Sequence, residues 1–492
     1  MEIPQEIRDI AQKMKKAGFD AYLVGGCVRD LILARPIRDW DLTTNALPED
    51  IQKIFPDSFY ENKFGTVSVK TNSEIGALKI VEITPYRVES QYQDKRHPDE
   101  IKFSKTLEED LKRRDFTVNA IALEIKNSQT EIIDLFDGRK DLQEKIIRTV
   151  GNPEERFNED ALRLLRAIRF ATELDFTIEE NTKKAVKKLA ASLEFISKER
   201  IRDEFEKIIM APKAAWGVAL LADLGLLSYV AQELVEGIGI IGVTKKKKGH
   251  IKYEELSVFD HNLKTLDYAA QQNFNLETRL ASLLHDLGKP RTKRGEGLEA
   301  SFMCHEQVGA RMALQVLERL HFPKKVIEKI VGLVRWHFFF YNVDEVTEAG
   351  VRRLIRRVGP ENIQDLLSLR EADRSGSGLP KISSYRLKHL RYMIERVSRD
   401  AIQPKMLKIN GNDLMKILKI PAGPKIGWVL NALLEEVLDD PKKNEKKYLT
   451  GQAEKLGKFS DLELKKLSQE AVSKKEELEE EIDESMKRKY NV

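Results

Sequence analysis

The periodicity of the apolar residues changes once along the chain, and this change constrains the fold more than any other feature. Short apolar and β-branched runs bounded by turn residues predict strands at residues 21–24, 40–42, 66–70, 80–83 and 131–134. From Asn158 onward apolar residues recur at i, i+3 and i+4, which predicts helices. The sequence therefore predicts a multidomain protein, with an α/β head built on a mixed sheet with helices and an all-α remainder.

The length and the interruptions of the helical pattern divide the chain further. A chain of 492 residues predicts about three domains. Glycine and lysine are concentrated in residues 237–252, which predicts a boundary loop, and residues 374–378 interrupt the helical pattern again. We expect a head over residues 1–148, a helical neck over 149–240, a helical body over 253–375 and a helical C-terminal region over 376–492. Lysine and glutamate dominate residues 456–490, which predicts one long exposed helix or a partly ordered tail.

Composition excludes several classes of protein. Lysine and arginine number 84 against 80 acidic residues, so any affinity for nucleic acid must come from local basic surfaces. One such run, residues 245–248, is either a solvated loop or an RNA-phosphate contact. The only cysteines, Cys27 and Cys304, are far apart, which excludes a disulfide framework and a cysteine zinc site. No secretory signal or membrane span is visible, because the longest apolar stretch, residues 216–230, is interrupted by Asp223. We expect a soluble, cytoplasmic protein without a membrane partner, and the sequence leaves its oligomeric state open.

A glycine turn opens the first candidate site. Residues 23–30 combine a strand, the turn Gly25-Gly26 and the start of a helix that carries Arg29 and Asp30. Such a turn lets backbone N–H groups approach a phosphate closely, and an arginine on the first helical turn adds positive charge. Alone, the pattern fits a structural strand-to-helix turn equally well.

Two carboxylates follow that turn. Asp39 and Asp41 alternate in a predicted strand, so both side chains face one side and repel each other unless a cation lies between them. Divalent metals held by paired carboxylates are what a phosphoryl or nucleotidyl displacement needs. The alternative is a solvated strand end, which the glycine turn upstream disfavours. Glu82, on a later predicted strand, is a candidate third carboxylate.

Two arginine clusters complete this candidate site. The first places two guanidinium groups and two hydrogen-bonding side chains within about two predicted helical turns: Arg113, Arg114, Asp115 and Asn119. The second spaces four charged residues by three, which predicts a stripe down one helix: Asp160, Arg163, Arg166 and Arg169. Arginine suits a triphosphate because its planar fork pairs with two phosphate oxygens. A salt-bridge ladder within the helix is the alternative for the second cluster.

Five motifs in order resemble those of the class II tRNA nucleotidyltransferases, the CCA-adding enzymes and their bacterial poly(A) polymerase relatives. They are GGxVRD at residues 25–30, DxD at 39–41, RRDxxxN at 113–119, EDxxRxxRxxRF at 159–170 and ERIRDE at 199–204. The resemblance implies that Asp39 and Asp41 hold catalytic magnesium. It also implies nucleotide contacts for the glycine turn and both arginine clusters: Gly25, Gly26, Arg29, Asp30, Arg113, Arg114, Asp115, Asn119, Asp160, Arg163, Arg166 and Arg169.

In that family the Asp and the first Arg of EDxxR act as an amino-acid template for the incoming base, and Asp160 and Arg163 occupy those positions. The base edges make this reasonable, because cytosine and adenine both present an amine donor beside a ring-nitrogen acceptor. Guanine and uracil would turn a carbonyl toward the carboxylate and leave polar groups unpaired. One pocket can therefore accept CTP and ATP without a nucleic-acid template.

The product is a finer question. Residues 62–67 resemble the CCA-adding version, whereas the bacterial poly(A) polymerases tend to carry a basic pair before Phe there. The loop over residues 87–103 is full length, and relatives that add only CC tend to have a shortened loop. The expected activity is CCA addition to tRNA from CTP and ATP, and the alternative is terminal A addition or poly(A) synthesis on RNA 3′ ends. An RNA-binding protein with an inactive head and a structural tRNA chaperone are rivals that Asp39, Asp41 and Arg163 disfavour.

Histidines mark a second candidate site in the helical body. His285-Asp286 ends an apolar helix, His261 lies one helix earlier, and Asp373 follows later in the chain. Nitrogen and oxygen ligands of this kind suit a divalent transition metal such as nickel, manganese or iron. The order resembles the HD phosphohydrolases, and His305 and His337 occur where two-metal members carry further ligands. A noncatalytic or vestigial cluster is the alternative. The resemblance also implies that residues 376–492 form a helical, tRNA-binding body and tail. Within it, residues 409–427 resemble the C-terminal part of HD-containing relatives, which implies either a contact with the tRNA elbow or plain helix packing.

Overall fold

The computed structural model describes residues 2–60, 65–90, 100–126, 129–246, 253–339, 341–343, 345–377, 385–398 and 407–490. They form two compact units. The first comprises Met1–Phe338 and Ser368–Leu379, and the second comprises Phe339–Leu367 and Pro380–Val492. Both predicted sites lie in the first unit. The finer domain boundaries expected from the sequence stay predictions.

A seven-stranded sheet forms the centre of the N-terminal part. Its helices are α1 (Gln5–Lys16), α2 (Gly26–Ile32), α3 (Pro48–Ile54), α4 (Leu107–Lys112) and α5 (Gly138–Glu144). Its strands are β1 (Tyr22–Val24), β2 (Asp41–Thr44), β3 (Ser58–Tyr60), β4 (Val67–Lys70), β5 (Ile80–Pro85), β8 (Ile121–Lys126) and β9 (Gln129–Asp134), with a separate hairpin of β6 (Arg87–Ser90) and β7 (Glu100–Phe103). The order in the sheet is β3-β4-β5-β2-β1-β8-β9.

The sheet is mixed, as the sequence predicts. Strands β2 and β5 run parallel, while the other neighbouring pairs are antiparallel. The parallel register sets Asp41 directly beside Glu82. The five predicted strands are confirmed, with ends shifted by at most two residues. The prediction missed β8, because its run of buried apolar residues does not alternate as a half-exposed strand does.

The segment of the first arginine cluster is not helical, contrary to the prediction. Helix α4 ends at Lys112, Arg113 caps it, and only Thr117–Asn119 form one turn of 3-10 helix before β8. The short strand β10 (Ile146–Ile147) then closes the N-terminal part by pairing in parallel with β11 (Thr177–Ile178). The remainder is therefore mostly, not wholly, helical.

The next stretch of the first unit contains α6 (Pro153–Glu159), α7 (Leu162–Leu174), α8 (Glu180–Leu189), α9 (Lys198–Met210), α10 (Ala214–Asp223) and α11 (Leu227–Val235). The prediction of one helix that carries all four charged residues of the stripe is wrong for the first of them, Asp160. Asp160 has an extended backbone, with φ −141° and ψ 106°, between α6 and α7. The three arginines lie on α7 as predicted.

The region predicted as a boundary loop contains an antiparallel pair, β12 (Ile241–Lys246) and β13 (Tyr253–Ser257). Its β-branched residues favour strand structure and outweigh the interspersed lysines and glycines. The Lys245–Lys248 run extends beyond the described residues at 247–252. Then follow α12 (Val258–Gln271), α13 (Leu276–Leu284), α14 (Lys289–Thr292), α15 (His305–Arg319) and α16 (Lys324–Trp336).

The second unit is helical in its described residues. It contains α17 (Glu348–Val358), the start of α18 (Ile363–Gly376), α19 (Tyr385–Ser398), α20 (Gly411–Leu418), α21 (Pro424–Asp439), α22 (Lys446–Leu456) and α23 (Asp461–Tyr490). Helix α18 extends into the interruption predicted at 374–378 and ends at Gly376, where a Cβ would lie 2.3 Å from Thr265 Oγ1. The predicted long helix at the end of the chain is confirmed as α23, whose Leu464 is buried.

No single helix among the described residues is long and apolar enough to cross a membrane. Helices α10 and α11 together pass that test of length and composition, but they meet at an angle of 99°.

Candidate functional site

The glycine turn lies between a cation and a carboxylate. Gly25 precedes α2 with φ 77°, a conformation that residues with a side chain rarely adopt. A Cβ at this position would lie 3.0 Å from Arg114 Nη1 and 3.9 Å from Asp41 Oδ2. Glycine therefore keeps open the space that these two charged groups border.

The paired carboxylates lie close to the start of β2: Asp41 is its first residue, whereas Asp39 lies two residues before the strand and not on it as predicted. Trp40 is buried between Asp39 and Asp41, in agreement with the predicted alternation. Burial raises the pKa of the Asp41 carboxyl, Arg114 opposes that shift, and the negative charge of Asp39 adds to it. Glu82 stands beside Asp41 in register on β5. The strand geometry thus brings three acidic positions to one end of the sheet, where a cation would relieve their repulsion.

Arg113 and Arg114 are both held by an aspartate that the sequence analysis missed. Asp110, fully buried on α4, accepts bonds from Arg113 at 2.6 and 2.9 Å and from Arg114 at 3.2 Å. Burial alone would raise the pKa of Asp110, but the two guanidinium groups lower it overall. The spacing of three and four residues on a helix was the available signal.

A chain of buried polar side chains links α2 to α7. Arg29 donates to both oxygens of Asp30, at 2.9 Å each, and to Asn119 Oδ1 at 2.9 Å. Asn119 in turn donates to Asp115 at 3.2 Å, and Arg166 Nε donates to the other oxygen of Asp115 at 2.7 Å. Five of the predicted nucleotide-binding residues therefore lie in one network, in which both Asp115 oxygens have protein partners.

Asp115 is ionised throughout the ordinary pH range. Burial would raise the pKa of its carboxyl, but Arg166 and Arg163, with the hydrogen bonds it accepts, lower that pKa to about 2. Phe170, the last residue of the fourth motif, adds a further partner for the cations. The guanidinium carbons of Arg29, Arg166 and Arg169 lie 5.3, 5.2 and 4.1 Å from the centre of its ring.

The two predicted template residues are fixed by different partners. Asp160 accepts bonds from Arg200 through both of its oxygens, at 2.8 and 3.3 Å. Arg163 is buried, forms an ion pair with Glu159, and donates to the backbone oxygen of Arg113 at 3.1 Å. The Asp160 carboxylate is thus oriented by Arg200, and the Arg163 guanidinium by Glu159 and the Arg113 backbone, rather than by each other. Arg200 belongs to the ERIRDE motif at residues 199–204, but the sequence analysis predicted no role for it.

Arg169, the last arginine of the cluster, turns away from this pair. Its Nη1 donates to the buried carboxylate of Glu204 on α9 at 2.8 Å. The same helix thus supplies Arg200 for Asp160 and Glu204 for Arg169. Arg169 serves packing between α7 and α9, which is the salt-bridge alternative for that one residue.

All six predicted metal ligands of the helical body lie together. Asp286 Oδ2 lies 3.2 Å from His285 Nε2 and 3.4 Å from His261 Nε2. Its other oxygen, Oδ1, lies 3.5 Å from His305 Nε2 and 3.7 Å from His337 Nε2. The carboxylate therefore presents one oxygen to each pair of histidines, the placement of a ligand shared by two cations.

Asp373 completes the first pair, since its Oδ1 lies 3.2 Å from His261 Nε2 and 3.7 Å from His285 Nε2. Lys289, a neighbour without a predicted role, brings its Nζ to 2.6 Å from Asp286 Oδ2. The arrangement concentrates two carboxylates and four imidazoles in a buried pocket of helices α12, α13, α15, α16 and α18.

The tautomers of the histidines suit metal binding. The Nδ1 atoms of His285, His305 and His337 lie 2.8–2.9 Å from backbone carbonyl oxygens, which fixes each Nδ1 as the donor. Their Nε2 atoms then point into the cluster. Facing Nε2 atoms lie 3.2 Å apart in His261–His285 and 3.4 Å apart in His305–His337, so a proton or a cation must separate each pair. The donor set fits a transition metal.

The carboxylates dominate the charge of this cluster. The pKa values of Asp286 and Asp373 are held well below the usual range, against the effect of burial, by His285 and the neighbouring lysine and arginine. Burial would lower the pKa of His285, but the two aspartates raise it to about 10. Burial and then His285 lower the pKa of His337 to about 3. The His337 imidazole is therefore neutral at physiological pH.

Two segments that bear on whether CCA or another sequence is added lie mostly outside the described residues. Residues 61–64, which include most of the CCA-type segment, and residues 91–99, which form most of the predicted loop, lie outside the described residues.

The strand-borne carboxylates, the glycine turn and the arginine-rich helical segment together define a nucleotidyltransferase. The structure superposes on the crystal structure of the Bacillus stearothermophilus CCA-adding enzyme in complex with CTP with a TM-score of 0.59 and 31% sequence identity. That match covers 92% of this chain and 97% of the other. The chain belongs to the class II tRNA nucleotidyltransferase family, the CCA-adding enzymes.

Sequence comparison agrees with this assignment. The family model "Poly A polymerase head domain" matches residues 21–148, "Probable RNA and SrmB- binding site of polymerase A" matches 175–237, and "tRNA nucleotidyltransferase domain 2 putative" matches 297–453. The CCA-adding enzyme of Geobacillus stearothermophilus is 47% identical over 227 residues, and that of Ligilactobacillus salivarius is 46% identical over 236 residues. Each alignment covers 46% of this chain, and the chain spans about half the length of these relatives, 54% and 55%.

Proposed function

We propose that this protein adds C, C and A, from CTP and ATP, to the 3′ end of tRNA without a nucleic-acid template. The observation that carries the proposal is the placement of Asp39 and Asp41 close to the start of β2, beside the Gly25 turn and Arg114. The matched relatives support it, because those named above are CCA-adding enzymes and one was solved with CTP. They do not favour the A-adding or poly(A)-adding alternative.

In this proposal Asp39 and Asp41 hold magnesium, and Glu82 is the third acidic group. Their oxygens are the ligands that magnesium prefers. Burial, and then the negative charge of Asp39, raise the pKa of the Asp41 carboxyl, and a bound cation would oppose that shift. Bound magnesium would activate the tRNA 3′ hydroxyl and neutralise the triphosphate. The 3′ oxygen bonds to the α-phosphorus, the bond from that phosphorus to the bridging oxygen breaks, and pyrophosphate leaves.

The protein's own residues would hold the nucleotide in place. Backbone N–H groups at Gly25-Gly26 and the guanidinium of Arg114 border the space for the phosphates. Asp160 would accept the exocyclic amine of cytosine or adenine, and Arg163 would donate to the ring nitrogen beside it. Because Arg200 and Glu159 already orient these two side chains, little reorganisation is needed when the base arrives.

The test is incubation of the purified protein with tRNA lacking CCA, tRNA lacking only A, and complete tRNA, with each nucleoside triphosphate separately. We expect CTP incorporation into the first, ATP incorporation into the second and none into the third. Incorporation of ATP alone, in long tracts, would establish the poly(A) alternative, and failure with every combination would refute the proposal. We also propose a cytoplasmic location, because tRNA, CTP and ATP are the substrates of the proposed reaction.

We propose a second activity, metal-dependent hydrolysis of phosphate esters, at the histidine cluster. The geometry of Asp286, with one oxygen toward each histidine pair, favours a two-metal site over a structural cluster. His261, His285 and Asp373 would hold one ion and His305 and His337 the other. Metals bound there would supply an activated water, and the lowered pKa of His337 keeps its imidazole available as a ligand.

Metal content and hydrolysis test this second proposal separately. Elemental analysis should find up to two equivalents of nickel, manganese or iron. Hydrolysis of p-nitrophenyl phosphate esters and 2′,3′-cyclic nucleotides should then require that metal. Metal binding without hydrolysis would leave the cluster structural, and absence of both would mark it as vestigial.

A further inference from the structure

Two large apolar side chains are exposed at one end of the histidine cluster. Met303 is 72% exposed and lies two residues before His305, and Phe338 is 61% exposed and directly follows His337. Among the side chains that the structure describes between residues 256 and 338, no other large apolar one is exposed to this degree. The exposed apolar surface of this part of the chain therefore flanks the His305–His337 pair.

The Phe338 ring rests against both histidines of this pair. Its centre lies 5.2 Å from that of His305, with the two ring planes inclined by 67°, and 6.3 Å from that of His337. The edge-to-face contact with His305 orients the phenyl ring, while its high exposure leaves much of the ring open. A ring that is held in place and open to solvent suits stacking against a planar group.

The charge at the same end indicates what the planar group is attached to. Lys289 Nζ lies 2.6 Å from Asp286 Oδ2 and 5.5 Å from the centre of the Phe302 ring. The backbone oxygen of Phe302 lies 2.8 Å from His305 Nδ1, so this cation belongs to the same end of the cluster as Phe338. A ligand that fits here combines an anionic group with a planar apolar group a short distance away. A nucleotide does so, because one ribose joins its phosphate to its base.

We propose that Phe338 is a specificity-determining residue of the histidine cluster, whose ring stacks on the base of a nucleotide while the phosphate lies among the histidines. The inference rests on the proposed hydrolysis of phosphate esters. It narrows that activity to esters that carry a base and orients them, with the base at the His305–His337 end. Because every base has an aromatic face, adenosine and cytidine esters should both be accepted.

A second protein chain is the other occupant that exposed apolar side chains could attract, and the size of the patch disfavours it. A stable interface buries about 800 Å² on each partner. Met303 and Phe338 supply much less, since even a fully buried aromatic side chain contributes only about 150–250 Å². The neighbouring Glu306 and Arg335 form an ion pair at 3.3 Å instead of extending the apolar surface. The patch therefore matches one base better than a protein surface.

The experiment compares two phosphate monoesters of secondary alcohols, adenosine 2′-phosphate and glycerol 2-phosphate, on the full-length protein loaded with nickel, manganese or iron. Hydrolysis of either releases phosphate and the alcohol, but only the first carries a base. Phe338→Leu keeps an apolar side chain and removes the ring, whereas Phe338→Trp keeps an aromatic face. Phe195→Leu is the matched control, because Phe195 is also 61% exposed and lies in the 3-10 helix Ala190–Phe195.

We expect Phe338→Leu to lower kcat/KM for adenosine 2′-phosphate about 5- to 150-fold, the range for one lost base–aromatic contact, and to change that for glycerol 2-phosphate less than about 2-fold. The loss should lie mainly in KM, since stacking holds the substrate and the transition state alike. Phe338→Trp and Phe195→Leu should both keep the wild-type preference for the nucleotide.

Two measurements that do not depend on turnover accompany the kinetics. Elemental analysis should find the same metal content in every variant. A Phe338→Leu variant that loses metal and loses activity on both esters equally would make the ring a cover for the histidines and overturn the proposal. Calorimetric titration of chelator-treated protein should show tighter binding of adenosine 2′-phosphate than of glycerol 2-phosphate, and Phe338→Leu should remove that difference. Nucleotide bound at the head would be the same in both proteins, so the comparison reports the histidine cluster.

These outcomes distinguish the inference from the proposed hydrolysis. If the wild type hydrolyses neither ester with any of the three metals while its binding preference depends on Phe338, the hydrolysis fails and the base contact stands. If the wild type hydrolyses both esters equally well, or Phe338→Leu leaves the preference unchanged, the base contact fails alone. A Phe338→Leu variant with an altered oligomeric state in sedimentation and an unchanged preference would assign the patch to a second copy of the chain and overturn the proposal.

Discussion

Replacing Asp115 by asparagine tests how the buried network between α2 and α7 is held together. The carboxylate is only 8% exposed, accepts two bonds from Arg166 and one from Asn119, and has a pKa of about 2 against an ordinary value of 3.8. At about 1.4 kcal/mol per pKa unit, its ionisation contributes about 2 kcal/mol to stability at neutral pH. Substitution costs more, about 3–5 kcal/mol, because it also leaves the Arg166 charge without its partner.

The pH dependence has a definite sign. The pKa of Asp115 is lower in the folded than in the unfolded state, so the stabilisation is complete above the unfolded value and is lost as the pH falls toward 2. Roughly half of the 2 kcal/mol should be gone by pH 3. The Asp115→Asn variant lacks this titration, so the difference between it and the wild type should shrink as the solution becomes more acidic.

Urea unfolding followed by circular dichroism between pH 7 and pH 3 measures both quantities. Arg166→Met and the double variant complete a cycle, in which we expect a coupling energy of about 1–3 kcal/mol. The reasoning would be refuted if the free energy of unfolding of the Asp115→Asn variant were within about 1 kcal/mol of that of the wild type at pH 7. Loss of one partner of a buried ion pair should cost more than that. A difference that is the same at pH 7 and pH 3 would refute the assigned pKa.

Three further predictions concern the two sites. Asp39→Ala or Asp41→Ala should abolish incorporation of both nucleotides in a radiolabel assay while a binding assay still detects tRNA, since the metal is needed only in the reaction; activity near that of the wild type would move the metal site elsewhere. Asp160→Ala should lower selection against UTP and GTP in competition assays, by about 1–3 kcal/mol for each lost contact, and unchanged selectivity would leave Asp160 a purely structural partner of its neighbours. His285→Ala with Asp286→Ala should remove bound transition metal and ester hydrolysis but largely preserve nucleotide addition, and loss of addition in a folded variant would make the cluster part of the polymerase reaction.

Site residues whose placement depends on the local geometry of the chain could be predicted from the sequence. Their hydrogen-bond partners far along the chain could not. Asp39 and Asp41 lie two apart in the chain on either side of the buried Trp40, so local chain geometry alone keeps the two carboxylates close to each other. Arg200, which holds Asp160, is forty positions away in the chain, and nothing in either segment specifies that pairing. The sequence likewise marked Arg169 as part of a stripe, but only the packing of α7 on α9 reveals that it serves Glu204.

The same distinction explains the errors in secondary structure. The single predicted helix across residues 158–170 rests on charges spaced by three, and that spacing survives an extended residue at Asp160 because α7 restarts two residues later. The strand β8 was missed because burial on both faces removes the alternation on which the prediction depends. The six residues predicted as metal ligands do lie together, because histidines and aspartates near helix ends in a fixed order are a pattern of composition, which tolerates errors in element boundaries.

The two sites are connected through helix α9, although their chemistry is separate. Arg279, buried on the helix that leads to His285, donates to the backbone oxygens of Ile209 and Ala211 at 3.1 and 3.2 Å. These carbonyls belong to the C-terminal end of α9, which has no further helical donors for them, so the guanidinium holds the end of that helix. Arg200 on the same helix orients Asp160. The helix that leads to His285 therefore contacts α9, the same helix that carries Arg200, the partner of Asp160. A change confined to the predicted metal ligands leaves Arg279 in place. Such a change therefore separates metal chemistry from the contact between Arg279 and α9.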